Sequence, residues 1–309
     1  MTLSLIYIDQ LDECGVMAVL LTGGEPLVRQ DFPEIVKEIT KRGMKIQQFY
    51  TNGALLNDKV SDCLFDNGHN PLVIMSYDGV GWHDWLRGIP SAEKAVNEAL
   101  ALCKRRGVRT HVQVVFHRKN LHTMRETVNH LAAMVCESTR LGIVNEQGDW
   151  IKNKDDNTLS MQEFIETALD YIPHYYEDGM PISLVISRVS VCGGLNDEFL
   201  GYPPIASDTP GEKTMPLREI LSTGSDYMNL MNMKQGEFID SNPECAKCKY
   251  LPICGGGCRA MSFRAYGSVT GKDNETCKFF REGWFDRVIE TLRRVRPQAK
   301  SKLLADNGF

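Results

Sequence analysis

Five cysteines in the last quarter of the chain have the spacing of a metal site. They run Cys245-x2-Cys248-x5-Cys254-x3-Cys258, with Cys277 after eighteen intervening residues. Thiolates are soft ligands, suited to zinc or to iron–sulfur clusters. A Cys-x2-Cys pair sets two sulfurs on one centre across a tight turn, and Gly255-Gly256-Gly257 lets the chain fold back between two further ligands. Five thiolates are one more than a four-ligand site needs, so two sites are expected to share the region. A structural zinc ribbon is the competing reading of the spacing. The second chemical feature is Thr22-Gly23-Gly24-Glu25-Pro26. Its glycines let a ligand approach exposed backbone N–H groups, Glu25 offers a carboxylate to an ammonium, and Pro26 stiffens the turn.

Composition sets the context. The chain has 309 residues, 42% of them hydrophobic and 24% charged, with a formal net charge of −5. No Lys/Arg run forms a nucleic-acid stripe, and Arg293, Arg294 and Arg296 near the C-terminus read as a solvated helix end. No apolar stretch reaches the length of a transmembrane helix, and the first residues lack the basic and small-residue pattern of a secretory signal. The expectation is a cytoplasmic protein that binds neither nucleic acid nor membrane. There its ten cysteines stay reduced, and close spacings mean metal.

The elements that must position these residues alternate between two periods. Helices are expected at Leu3–Glu13, Asp31–Arg42 (with Asp31 as N-cap), Leu56–Asn67, Ala92–Arg106, Leu121–Val135 and Ser160–Tyr176. Strands are expected at Val16–Leu21, Met44–Tyr50, Leu72–Ser76, Val108–Phe116 and, more weakly, Thr139–Val144. The run VMAVLL reads as a strand buried on both faces. This pattern implies a parallel sheet rolled into a full or partial barrel, with its chemistry at the C-terminal ends of the strands. From about residue 180 Pro and Gly become frequent, the cysteines follow, and a last amphipathic helix runs from Phe279 to Val295. The expected organisation is therefore a barrel over 1–180 and a small cysteine-rich domain over 181–309.

Placed after a buried strand, Thr22–Pro26 resembles the GGEP motif of the radical SAM superfamily. Thr51-Asn52-Gly53 resembles that family's TNG turn. Ser76-Tyr77-Asp78-Gly79, with Arg87 downstream, resembles its S-[FY]-D-G loop. The resemblance implies an S-adenosylmethionine pocket lined by Gly23, Gly24, Glu25, Asn52 and Ser76. Arg87 would serve the cofactor carboxylate or a substrate, with a surface salt bridge as the plainer reading. The cysteine-rich segment resembles the SPASM domain, which carries auxiliary iron–sulfur clusters. That implies one [4Fe–4S] cluster on Cys245, Cys248, Cys254 and Cys277, with Cys258 reaching toward another. Cys192 and Gly201 resemble the start of the upstream segment that completes the second cluster, but the expected cysteine falls at Ala206.

The resemblance implies an oxidoreductase of the peptide-maturase kind, acting on a peptide or protein with electrons from a flavodoxin or ferredoxin. Its 5′-deoxyadenosyl radical would abstract a substrate hydrogen. One departure bears on that activity. The family's Cys-x3-Cys-x2-Cys, which holds the catalytic cluster, does not occur in this sequence. Cys14, Cys63, Cys103 and Cys136 are isolated on helices or helix ends and read as small apolar residues. A strand expected ahead of Leu3–Glu13 is also missing, so one truncation would explain both absences. The expected consequences are a partial (β/α)6 barrel lacking its first strand, an exposed Val16–Leu21 edge, and a chain that does not start radical chemistry. The alternative is a catalytically silent protein that keeps the auxiliary cluster and binds a peptide or partner. His83, Asp84, Trp85, His117, Asn120, Asp149 and Trp150 fall in strand-end loops and are weaker candidates for substrate contact.

Overall fold

The computed structural model describes residues 3–144, 157–187, 216–222, 228 and 234–295. The chain divides into two compact units, residues 1–187 and 188–309.

The first unit alternates helix and strand. In order come α1 (Leu3–Glu13), β1 (Ala18–Leu21), α2 (Phe32–Lys41), β2 (Lys45–Thr51), α3 (Asp58–Asp66), β3 (Leu72–Tyr77), α4 (His83–Arg87), α5 (Ala92–Arg106), β4 (Thr110–Phe116), α6 (Met124–Ala133), β5 (Ser138–Ile143), α7 (Met161–Glu177) and β6 (Ser183–Ile186). The strands form one sheet in sequential order from β1 to β6, every pair parallel. This is the expected partial barrel. The series does not close with the helix that ends near residue 177, however. Ser183–Ile186 adds a sixth described strand beside β5, so the first unit runs to Ser187 rather than 180. Four apolar-leaning residues behind a proline carry too little periodicity to announce a strand.

The pleat sorts the strand residues onto two faces. Val73, Met75 and Tyr77 of β3, Val112, Val114 and Phe116 of β4, and Thr139 and Leu141 of β5 are buried beneath the helices. The alternate residues Ser76, Gln113 and Arg140 are half-buried or exposed. One face is thus closed by packing and the other left open. That corrects the expectation for VMAVLL: β1 is shorter than that run, Met17 is 82% exposed, and Leu20, on the open face, is 53% exposed. Among the described residues β1 ends the sheet.

Capping is mostly as the residue types suggest. Asn57 accepts the Val60 N–H at the head of α3, and Ser160 with Glu163 closes a capping box on α7. Asp31 stands at the N-cap of α2 but makes no side-chain cap bond there; its carboxylate is paired with Arg29 at 2.7 Å.

In the second unit, α8 (Gln235–Ser241), α9 (Arg259–Tyr266), α10 (Asn274–Arg281) and α11 (Trp284–Val295) surround the cysteine-bearing loops. The single C-terminal helix expected from Phe279 is two helices, broken at Glu282–Gly283. Phe280 and Phe285 pack on Tyr250 and on each other, and Ile253, Phe279 and Trp284 are buried with them in this unit's core.

Candidate active site and cluster site

The Gly-Gly-Glu-Pro loop leaves the C-terminal end of β1, and the Thr-Asn-Gly loop leaves that of β2. One side chain joins them. Glu25 Oε1 accepts from Thr51 Oγ1 at 2.9 Å and from Leu27 N at 3.1 Å, and Oε2 accepts from Asn52 N at 2.7 Å. The carboxylate therefore acts as a clip between two strand ends, with three protein donors already on it. The sequence suggests an ammonium as its partner; the observed partners are the protein's own N–H and O–H groups. Asn52 Oδ1 in turn accepts from Ala54 N at 2.9 Å, fixing the second loop as an Asx turn. Gly23 has φ +123°, a conformation an L side chain rarely adopts, and a Cβ built on Gly23 or Gly24 would meet nothing within 4 Å. The space beside this backbone is open, as a ligand approaching it would require.

Ser76 lies near the C-terminal end of β3 on the open face, in register with Gln113 of β4. The next residues build a closed polar knot. Asp78 is wholly buried; its carboxylate accepts from Arg87 Nε at 2.6 Å and from Arg87 Nη2 at 3.2 Å. His83 Nδ1 lies 2.9 Å from Asp78 Oδ2 and 3.1 Å from the Asp78 backbone nitrogen. Arg87 is thus the counter-charge of a buried carboxylate, a more demanding role than a surface ion pair. Asn120 donates to the carbonyls of Asp78 and Val115 and accepts from His117 N, tying the loops after β3 and β4 together. Asp84 accepts from the N–H groups of Ser91 and Glu93, and Trp85 carries Lys119 over its ring at 4.3 Å. These residues mainly hold the loops in place, a role that sequence pattern cannot distinguish from substrate contact. Asp149 and Trp150 lie outside the described residues.

The thiols of the first unit do not assemble. Cys14 follows α1 in a turn, Cys63 lies in α3, Cys103 is buried in α5, and Cys136 is buried just ahead of β5. Burial pushes Cys103 up to about 12 and Cys136 up to about 11. Among the described residues of the first unit, no three thiols meet at the strand ends.

The second unit is built differently. Cys245 begins a short 3-10 turn, Cys248 closes it, Cys254 ends a short helix, Cys258 caps α9 and Cys277 lies in α10. Burial pushes Cys254 up to about 11; the Gly256 N–H opposes this, and charge on Cys248, Cys245 and Cys277 adds to it. Burial likewise raises Cys245, with Glu244 next and then Cys277 and Cys248 pushing the same way. Cys248 and Cys277 thus act electrostatically on both Cys245 and Cys254. Cys258 is exposed. Among the described residues no group of three Cys, His, Asp or Glu closes on a single metal ion. Cys192 lies outside the described residues.

The loop between these cysteines requires its glycines. At Gly256 a Cβ would stand 2.6 Å from the Phe238 ring, and at Gly257 2.5 Å from the Asp273 Cβ, both at φ near +80°. Asp273 caps α10 through Glu275 N and Thr276 N and also accepts from Cys258 N at 3.0 Å, so one carboxylate fixes the backbone at Cys258 and Cys277. Arg259 is buried, stacks on Phe238, and donates to the carbonyls of Gly256, Val269 and Gly271. The residues of Cys-Gly-Gly-Gly-Cys-Arg thus form one internally braced loop.

Comparison with known proteins gives the following. Residues 6–131 match the family model described as the Radical SAM superfamily. The PqqA peptide cyclase of Granulibacter bethesdensis is 25% identical over 287 residues, covering 84% of this chain and 74% of that protein. The mycofactocin maturase MftC of Mycolicibacterium smegmatis is 25% identical over 320 residues, covering 94% and 77%. Among solved structures, anSMEcpe with bound AdoMet and the Cp18Cys peptide superposes with a TM-score of 0.71 at 18% identity, covering 96% of this chain and 91% of that one. Streptococcus suis SuiB bound to its precursor peptide SuiA gives 0.61 at 13%, covering 89% and 69%. The fold is therefore that of radical SAM enzymes.

Proposed function

We propose that this chain, whose residues 6–131 are a radical SAM domain, binds S-adenosylmethionine at the ends of β1, β2 and β3 and acts in maturase-type modification of a peptide. The relatives named as a peptide cyclase and a maturase support the substrate class. The observation that carries the cofactor reading is the Glu25 clip. It brings the Gly23–Gly24 backbone and Asn52 together over open space on the side where Ser76 is available. Gly23 and Gly24 offer backbone groups to the cofactor, Asn52 and Ser76 offer side-chain polar atoms, and Glu25 holds the two loops at a fixed separation. Arg87 contributes by keeping the Asp78 loop folded beneath the pocket.

Cys245, Cys248, Cys254 and Cys277 are assigned to one [4Fe–4S] cluster of SPASM type. Bound there, it would supply an electron acceptor or donor, or a point of substrate attachment. The chain's own part is to present four thiols from glycine-framed turns and to shield them: the Gly256 N–H lies 3.4 Å from Cys254 Sγ. Such donors stabilise charge on cluster sulfur. A flavodoxin or ferredoxin is the class of reductant that would serve it. Cys-x3-Cys-x2-Cys does not occur in residues 1–309, so no radical-generating step is assigned to them. That observation also favours a second reading, a silent peptide-binding protein that keeps the auxiliary cluster.

The test of the cofactor reading is equilibrium binding of S-adenosylhomocysteine to the purified chain. Saturable binding, weakened about tenfold or more by Glu25→Ala because charge-assisted hydrogen bonds worth about 1.5–3 kcal/mol each are lost, supports it. No binding, or binding indifferent to Glu25, counts against it.

A further inference from the structure

We infer that Arg140 is a carboxylate anchor on the open face of the sheet, for an acidic side chain or terminal carboxylate of the peptide. The peptide rests on the function proposed above; the anchor rests on geometry alone. Ser76 of β3, Gln113 of β4 and Arg140 of β5 are direct cross-strand partners. They occupy one row on one face, and with parallel strands about 4.8 Å apart, Arg140 starts about 10 Å from Ser76. Its chain neighbours Thr139 and Leu141 are wholly buried on the helix side, while Arg140 itself is exposed. The side chain therefore stands off the open face, in the same row as a residue of the cofactor pocket.

Its pairing sets it apart. Of the nine arginines in residues 1–187, seven pair with a carboxylate: Arg29, Arg42, Arg87, Arg106, Arg109, Arg118 and Arg125. Arg105 is exposed in the last turn of α5, where a cation suits the helix dipole. Arg140 is in mid-strand, and no carboxylate among the described residues pairs with it. Its Nε donates to Ser187 Oγ at 3.0 Å. That bond fixes the guanidinium edge, and among the described residues it leaves the two Nη groups as a fork, the geometry that engages a carboxylate through two bonds. His111, one row below, is held by Ser138 Oγ at 2.7 Å and adds no negative charge. Burial first, and Arg140 second, disfavour its protonated form. The methionyl carboxylate of the cofactor is the other source of the same chemistry. The Gly-Gly-Glu and Thr-Asn-Gly loops follow β1 and β2, four and three strands from β5, and only Ser76 of the pocket lies nearer, two strands away, so the substrate is the better fit.

The experiment follows the His111 ring signals by NMR in the full chain, titrated with N-acetyl-L-glutamate α-amide to about 20 mM, a range that captures even millimolar binding. The expected result is a saturable shift, about tenfold weaker in Arg140→Gln, intermediate in Arg140→Lys and unchanged in Arg105→Gln. The glutamine counterpart should produce no saturable shift. An adventitious surface cation would give no saturation with the wild-type chain, or equal binding by Arg140→Gln; either result overturns the anchor. If Arg140→Gln weakens S-adenosylhomocysteine as much as the glutamate probe, while decarboxylated S-adenosylmethionine is unaffected, the anchor serves the cofactor and the substrate assignment falls. Failure of the cofactor pocket itself would appear separately, in the Glu25→Ala comparison.

Discussion

The two units treat the same side chain in opposite ways. In the first, Cys103 within α5 and Cys136 just ahead of β5 are buried. In the second, Cys245, Cys248 and Cys254 sit on turns and helix ends and Cys277 lies in α10, and Cys248 and Cys277 act electrostatically on Cys245 and Cys254. Burial raises the thiol in both places, so a raised pKa does not separate a packing cysteine from a ligand. Company and backbone do. The thiols proposed as ligands come with left-handed glycines and a capping carboxylate, while the packing thiols come with a continuous helix or a strand start.

The sharpest way to break this contrast is by metal content. Cys254→Ala should reduce iron and acid-labile sulfide, after anaerobic reconstitution, to the level of an unreconstituted control. Cys103→Ala and Cys136→Ala should retain both, at a stability cost of about 1 kcal/mol for the lost packing. Equal loss in both groups would erase the distinction.

The next effect is on the framing glycine. Gly257→Ala places a Cβ against Asp273 at φ +84°. It should cost about 3 kcal/mol of stability, combining strain and clash, measured by urea unfolding of the reconstituted protein. Gly23→Ala, with open space around its Cβ, should cost only the backbone strain of about 1–2 kcal/mol.

Thiol labelling sharpens the comparison further. In the metal-free chain, exposed Cys258 should react with iodoacetamide about 100-fold faster than buried Cys103 and Cys136, as read by mass spectrometry of quenched samples.

The smallest effect tests whether the helix layer of the first unit excludes charge in general. His69 is buried between α3 and β3; its Nδ1 accepts from Ile46 N at 3.3 Å, and its Nε2 lies 2.7 Å from Thr40 Oγ1. Burial, and then Lys45, lower its pKa below the ordinary value of 6.5. A histidine lowered in the folded state binds fewer protons there than in the unfolded chain. Its contribution is therefore fully present above pH 6.5 and declines as pH falls toward the folded pKa. Stability between pH 7 and 5 should fall less in His69→Gln than in the wild-type chain. Unchanged steepness would show that another group carries the dependence.

Much of this was legible in sequence, and for identifiable reasons. α1 and α5 appear with the expected bounds because Gly15 and Gly107 follow them and their apolar spacing is regular. The strand order followed from alternation alone. The open face was hidden: Leu20 is as apolar as a buried residue, and only the register of six strands reveals which side the helices leave bare. β6 was hidden by its brevity. In the candidate site, Gly23, Gly24, Glu25, Asn52 and Ser76 were singled out by motif, but the part of Glu25 as a clip needed Thr51 and Leu27 in three dimensions. Arg140 was missed because a lone arginine in a weak strand carries no signal until the other arginines are seen to be paired.

The central claim is that this chain holds one four-thiolate cluster in its second unit and no radical-generating cluster in its first. The most direct measurement is 5′-deoxyadenosine formation by the anaerobically reconstituted 309-residue chain, with S-adenosylmethionine and dithionite, alongside iron analysis. The account predicts about four irons per chain, the content of one [4Fe–4S] cluster, and 5′-deoxyadenosine no higher than in a cluster-free control. Sustained 5′-deoxyadenosine above that control would contradict it.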